Sequence, residues 1–224
     1  MQLSLTQPSS WILLLLLVNS SLLWKNAASV PMCAMRNARC FTSFEDTFEL
    51  AGSLSHNISI EVSELFNEFE KHYSNVSGLR DKSPMRCNTS FLPTPENKEQ
   101  ARLTHYAALL KSGAMILDAW ESPLDDLVSE LSTIKNVPDI IISKATDIKK
   151  KINAVRNGVN ALMSTMLQNG DEEKKNPAWF LQSDNEDARI HSLYGMISCL
   201  DNDFKKVDIY LNVLKCYMLK IDNC

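Results

Sequence analysis

Three residue types in this chain could carry chemistry: six cysteines, four histidines, and asparagines that begin Asn-x-Ser/Thr triplets. Thiols form disulfides, hold zinc or act as nucleophiles; imidazoles bind metal or move protons; a triplet asparagine accepts a glycan in the export pathway. Spacing decides among these. The cysteines, Cys33, Cys40, Cys87, Cys199, Cys216 and Cys224, contain no CxxC pair. The histidines, His56, His72, His105 and His191, contain no HExxH, so no zinc or other metal site is predicted. There is no GxSxG elbow and no Ser, His and acid set at recognisable spacing. The residues predict no enzyme, no catalytic residue and no cofactor.

What the thiols do instead depends on compartment. Residues 11–18 (WILLLLLV) form an apolar run that is continued by Leu22, Leu23 and Trp24 and ends in small residues at Ala27, Ala28 and Ser29. The run is too short and too interrupted for a retained membrane anchor, which is the competing reading. It predicts a signal peptide over residues 1–29, cleaved after Ser29 or after Ala28, although no Lys or Arg precedes the run. The remaining chain, 30–224, is predicted to be one secreted, extracellular domain with no membrane insertion. All six cysteines fall in it, an even number in an oxidising compartment, so three disulfides are expected; spacing alone leaves 15 pairings open. The triplets at Asn57, Asn75 and Asn88 become candidate glycosylation sites, and the one at Asn19 lies in the signal.

The elements that must position these residues are helical. Phe44, Phe48, Ala51, Ile58, Val62, Leu65, Phe69 and Tyr73 recur at threes and fours, one face of a helix of roughly 30 residues. A second stretch runs Leu103, Ala107, Leu110, Ala114, Leu117, Leu124, Leu131, Ile134, with a kink expected at Pro123. A third runs from Ile141 to Met166 and a fourth from Ile190 to Met218. No stretch alternates as a strand does, so the fold class is all-α. Apolar positions at this spacing are read as core rather than as the lining of a carrier cavity.

Connection lengths set the expected topology. Residues 74–100 carry Gly78, Pro84, Pro93 and Pro95, and residues 168–187 carry Gly170 and Pro177; only a brief break near 136–139 separates the second and third stretches. Bundle neighbours are usually joined by ~2–8 residues. Long, short, long is the pattern of an up-up-down-down four-helix bundle with two crossovers. A formal net charge of −4 gives no electrostatic basis for nucleic-acid binding. Lys149-Lys150-Lys151 is read as a solvated face, with contact to sulfated glycans as the alternative.

The segment from Cys87 to Ala101 (CNTSFLPTPENKEQA) resembles the CxTSxxxTPExKEQA loop of the prolactin and growth hormone family. Trp120-Glu121-Ser122-Pro123-Leu124 resembles that family's WxxPL, and Lys206 to Cys216 (KVDIYLNVLKC) its KxDxYLxxLKC. The resemblance covers the whole chain after the signal and is greatest to the placental prolactin-like branch. It implies three pairings, Cys33–Cys40, Cys87–Cys199 and Cys216–Cys224. It also implies a hormone or growth factor that binds a cytokine-type cell-surface receptor through the first helix, the first crossover and the fourth helix. In the placental branch, the implied action is growth promotion in pregnancy, including vascular growth and angiogenesis.

His56 and Asp208 match family residues on the implied receptor face, whereas Ser59 and Lys205 stand where histidines are common. An ammonium in place of imidazole fixes a charge and removes a possible metal ligand. Gly158 matches the small residue of a second family face between the first and third helices. A helical glycine costs about 1 kcal/mol against alanine, so either a close approach uses it or it is merely tolerated. His56, likewise, is either a contact residue or structural. The altered contacts and the three triplets leave a second function open: a glycoprotein ligand read through its N-glycans by a lectin-type receptor that binds mannose 6-phosphate. Oligomeric state is left open.

Overall fold

Each long apolar stripe closes into a helix because that geometry puts its large side chains on one side, where they can leave water together. The computed structural model describes residues 32–33, 40–41, 44–76, 78–79, 87–166 and 185–221. The chain divides into two compact units, Met1–Thr42 and Ser43–Cys224. Within the first, β1 (Met32–Cys33) and β2 (Cys40–Phe41) pair antiparallel, Met32 opposite Phe41 and Cys33 opposite Cys40. This two-residue ladder is an addition to the all-helical expectation. The expected signal, residues 1–29, lies outside the described residues.

The second unit is built from α1 (Phe44–His72), a 3₁₀ turn (Asn88–Phe91), α2 (Lys98–Leu103), α3 (Tyr106–Ala119), α4 (Glu121–Thr133), α5 (Asp139–Met166) and α6 (Glu186–Leu219). α1 begins with Glu45 and Asp46 and carries Lys71 in its last turn, charges that complement the helix dipole at both ends. Asn185 caps α6 by accepting from the Asp187 and Ala188 amides. Lys220, left-handed at φ 51°, ends it.

The second stretch departs from expectation in two places. Rather than one helix kinked at Pro123, there are two helices that break at Trp120 (φ −93°, ψ 2°). Pro123 then stands third in α4, where a backbone amide has no partner inside the helix, so its missing N–H costs nothing there. Leu103, expected in the core, is 89% exposed. It closes the separate helix α2, and Thr104, in extended conformation, rotates it off the register of α3. The other stripes are buried almost throughout: Phe48, Ile58, Val62, Leu65 and Phe69 on α1, Ile141, Ile148, Ile152 and Val159 on α5, Leu193, Ile197, Phe204 and Val207 on α6. Each such side chain contributes ~1.5–3 kcal/mol of transfer free energy.

α1 packs on α5 and α6, and α3 packs on the same two. Cross-helix contacts run in opposite order along α1 against α5 and α6, and along α4 against the same two. Between α1 and α6, Glu49 meets Lys215 (3.1 Å), Ser55 meets Asp208 (3.2 Å), Ser63 meets Asp201 (2.5 Å) and Glu70 meets Tyr194 (3.1 Å). Between α1 and α5, Glu61 meets Lys151 and Glu68 meets Lys144 (2.8 Å). Against α5, α4 sets Glu121 on Arg156 (2.7 Å) and Asp125 on Lys149. Against α6, Trp120 meets Asp203 (2.7 Å) and Glu130 meets Arg189 (2.7 Å). The basic run 149–151 is not an open cationic patch, since Lys149, Lys150 and Lys151 face Asp125, Asp147 and Glu61.

Candidate functional site

α6 carries two polar stripes, each at helical spacing. Asp201, Lys205, Asp208, Asn212 and Lys215 follow steps of four and three and run along α1. Cys199, Asp203, Lys206 and Tyr210 follow the same steps and run along the first crossover.

On the α1 side, Asp208 is the centre. Its Oδ1 accepts from Ser55 Oγ (3.2 Å) and Asn212 Nδ2 (2.7 Å), and its Oδ2 lies 3.2 Å from His56 Nδ1. The His56 side chain is 60% exposed and that of Asp208 19%, so an incoming molecule reaches the imidazole first. Two turns away, Asp201 accepts from Ser63 (2.5 Å) and from the Lys205 ammonium (2.6 Å). Gly52 supports this seam: a Cβ there would touch Asn212 and Lys215 of α6 at 3.5 Å. Nothing in the sequence had singled out Gly52, Ser55 or Asp201, whose partners on the facing helix stand more than a hundred positions away.

The structure thus brings His56 and Asp208 together across 152 positions and folds Lys205 along its own helix. Ser59 is turned inward and only 9% exposed. Ser55, His56 and Asp208 do not form a nucleophile–base–acid relay. Both Ser55 and His56 bond the carboxylate, through opposite oxygens, so the imidazole is not placed between serine and acid.

On the crossover side, Cys87 and Cys199 form a disulfide with Cα atoms 5.5 Å apart. Beside it, one oxygen of Asp203 accepts from Thr89 Oγ1 (2.8 Å) and Trp120 Nε1 (2.7 Å). Burial pushes the Asp203 carboxyl above its ordinary value, and those two hydrogen bonds offset part of the shift. Lys206 pairs with Glu96 at 2.6 Å, and the Tyr210 hydroxyl donates to the Pro95 carbonyl. Burial raises the Tyr210 phenol to about 12. The crossover from Cys87 to Glu96 is therefore fastened at four successive points on α6.

The other singled-out residues are dispersed. Asn57 is exposed beside His56, Asn75 is exposed just beyond α1, and Asn88 is half-buried in the 3₁₀ turn. Among the described residues, a Cβ on Gly158 would meet nothing within 4 Å, so none of them makes a close approach there. Cys216 is disulfide-bonded, while its expected partner Cys224 lies outside the described residues. The side chains of Cys33 and Cys40 lie outside them too, although their backbones stand opposite in the ladder. Among the described residues no three His, Cys, Asp or Glu side chains are grouped to hold a metal ion. No helix among them is long and apolar enough to cross a membrane.

The described residues thus form a disulfide-fastened bundle of long helices with a polar seam that bears an exposed histidine. The somatotropin hormone family profile matches residues 16–224, and the chain belongs to that family. It is 98% identical over 218 residues to mouse (Mus musculus) prolactin-2C3, covering 97% of each chain. Mouse prolactin-2C2 is 96% identical over 99% of each chain, and mouse prolactin-2A1 43% identical over the full length of both. These relatives put the chain in the placental prolactin-like branch.

Proposed function

We propose that the protein is an exported hormone that engages a cytokine-type cell-surface receptor through the α1–α6 seam, with His56 and Asp208 at the point of contact. The observation that carries this reading is the exposed His56 imidazole held against Asp208 from the opposite helix, a preorganised polar pair with no structural need to face solvent. The opposed contact order of α1 and α4 against α5 and α6 supports an up-up-down-down topology. Cys33–Cys40 and Cys216–Cys224 would complete the three disulfides once residues 1–29 are removed. Gly158, open to solvent-side approach, fits a second receptor contact on the α1–α5 side. Growth promotion, including vascular growth, is the biological output of this reading.

The test is binding of the purified, glycosylated chain to the isolated prolactin-receptor ectodomain. The expected result is saturable binding that His56→Ala and Asp208→Ala each weaken about tenfold or more, equivalent to ~1.4 kcal/mol. Undiminished binding by both variants would remove the seam from the reading. The exposure of Asn57 and Asn75 favours a second reading, in which a mannose-6-phosphate-binding receptor takes the glycans. Enzymatic removal of N-glycans should abolish that mode and spare the first.

A further inference from the structure

The three glycan-acceptor triplets differ in one physical respect. Asn57 and Asn75 lie on exposed surface with no cysteine beside them, whereas Asn88 directly follows Cys87, the half-cystine bonded to Cys199. Transfer of a glycan needs the asparagine amide and the hydroxyl two residues on to be offered together to the transferring enzyme. In the folded chain residues 88–91 are wound into the 3₁₀ turn, with the Ser90 amide on the Cys87 carbonyl (3.0 Å) and the Leu92 amide on the Thr89 carbonyl (2.9 Å). Thr89, the middle residue of the triplet, is 7% exposed and its hydroxyl is bonded to the buried Asp203 carboxylate at 2.8 Å. Opening the turn would strip that carboxylate of one of two donors while the disulfide still tethered its start to α6.

We infer that Asn88 is glycosylated only before Cys87 closes onto Cys199, so that its occupancy is set by a race between glycan transfer and disulfide formation. The 112-residue separation of the two cysteines sets the length of that race. At ~5–20 residues per second of synthesis, Cys199 follows Cys87 by about 6–22 s. Afterwards the site is shut. Asn57 has no such lock: an isolated helix gains its stability only on packing, so α1 remains open until α5 and α6 arrive, and Asn57 faces solvent even then. The chain would consequently exist in two forms that differ by one glycan at the crossover, next to the stripe that fastens it.

This inference rests on export of the chain, and the experiment separates its failure from failure of that reading. Site occupancy at Asn57, Asn75 and Asn88 is measured by mass spectrometry on total chains, intracellular and secreted. Wild type is compared with wild type synthesised under dithiothreitol, with Cys199→Ser, and with Asp203→Asn, which loosens the turn but keeps triplet and disulfide. Because intracellular chains are counted, a variant that is not secreted still gives a result. Expected are partial occupancy of Asn88 in wild type, a rise of about twofold or more under dithiothreitol and in Cys199→Ser, a smaller rise in Asp203→Asn, and no change at Asn57 or Asn75. Full Asn88 occupancy in untreated wild type, or occupancy indifferent to closure of the disulfide, overturns the inference. Absence of glycan from all three sites would instead overturn export.

Discussion

Two aspartates on α6, Asp203 and Asp208, are five residues apart and about 140° apart around the helix. Asp203 is buried, bonded to Thr89 and Trp120, and stands beside the Cys87–Cys199 bond. Asp208 lies at the surface of the α1 seam and holds an exposed histidine. A carboxylate fastens a crossover in one place and holds an exposed imidazole in the other. The difference lies in what reaches it: an indole and a hydroxyl sealed from water, or an imidazole open to it. A helix can serve both purposes because its two stripes share a backbone but no side-chain partners.

The largest effect that this comparison predicts is on the crossover stripe. Cys199→Ala removes a link closing a loop of 112 residues, worth about 5 kcal/mol in chain entropy, and secreted yield should collapse. Cys33→Ala with Cys40→Ala would remove only the short loop of the proposed Cys33–Cys40 pair, and secretion should continue. Equal yields from the two would erase the distinction between the units.

Next is Asp203→Leu, which strands the Trp120 and Thr89 donors in the interior and should cost ~3 kcal/mol in urea denaturation. Asp203→Asn keeps an acceptor and should cost much less. Its comparison with wild type also has a pH sign. The folded Asp203 pKa is raised above the unfolded value of 3.8, so ionisation of the buried carboxyl weakens the native state. Relative to Asp203→Asn, wild type should gain stability as pH falls from neutrality through the raised folded value, levelling off below the unfolded one. A gain on raising the pH would contradict the burial argument.

A third test moves the opposite way. Gly158→Ala and Gly113→Ala both add a Cβ into open space within a helix, and each should raise stability by ~0.5–1 kcal/mol. Gly158→Trp should leave melting little changed yet impair a second receptor contact, as read by receptor stoichiometry.

The smallest effects belong to the α1 stripe. Lys205→Ala breaks an i,i+4 ion pair whose ammonium is 53% exposed, and should shift stability by only ~0.3–0.5 kcal/mol. A large loss there would make the seam structural rather than a recognition surface.

The helices were legible because their signal is local: apolar residues at threes and fours between Phe44 and Met218 state which face leaves water, whatever that face later meets. The failures mark the limit of that logic. Leu103 fits the apolar period of the second stretch, yet it stands exposed because Thr104 breaks the register. Pro123 announces a disturbance, but its position alone does not distinguish a kink from the first turn of a new helix. Lys149-Lys150-Lys151 reads as a solvated face, and Lys150 is exposed, but that α4 and α1 set carboxylates against Lys149 and Lys151 is not visible in the run itself.

What the sequence by itself determined is the helical class, the long connections, the even cysteine count and the family resemblance, all properties of composition, period and motif. What only the tertiary structure decided is the division of labour on α6: which aspartate is buried, that Ser55 and His56 share one carboxylate, that Gly52 approaches α6 while no described residue approaches Gly158, and that Asn88 alone of the three triplets abuts a closed disulfide. The physical reason is separation along the chain. Asp203 takes its donors from 114 and 83 positions away and Asp208 its histidine from 152, and no local pattern specifies neighbours that only packing brings within 3 Å or so of each other.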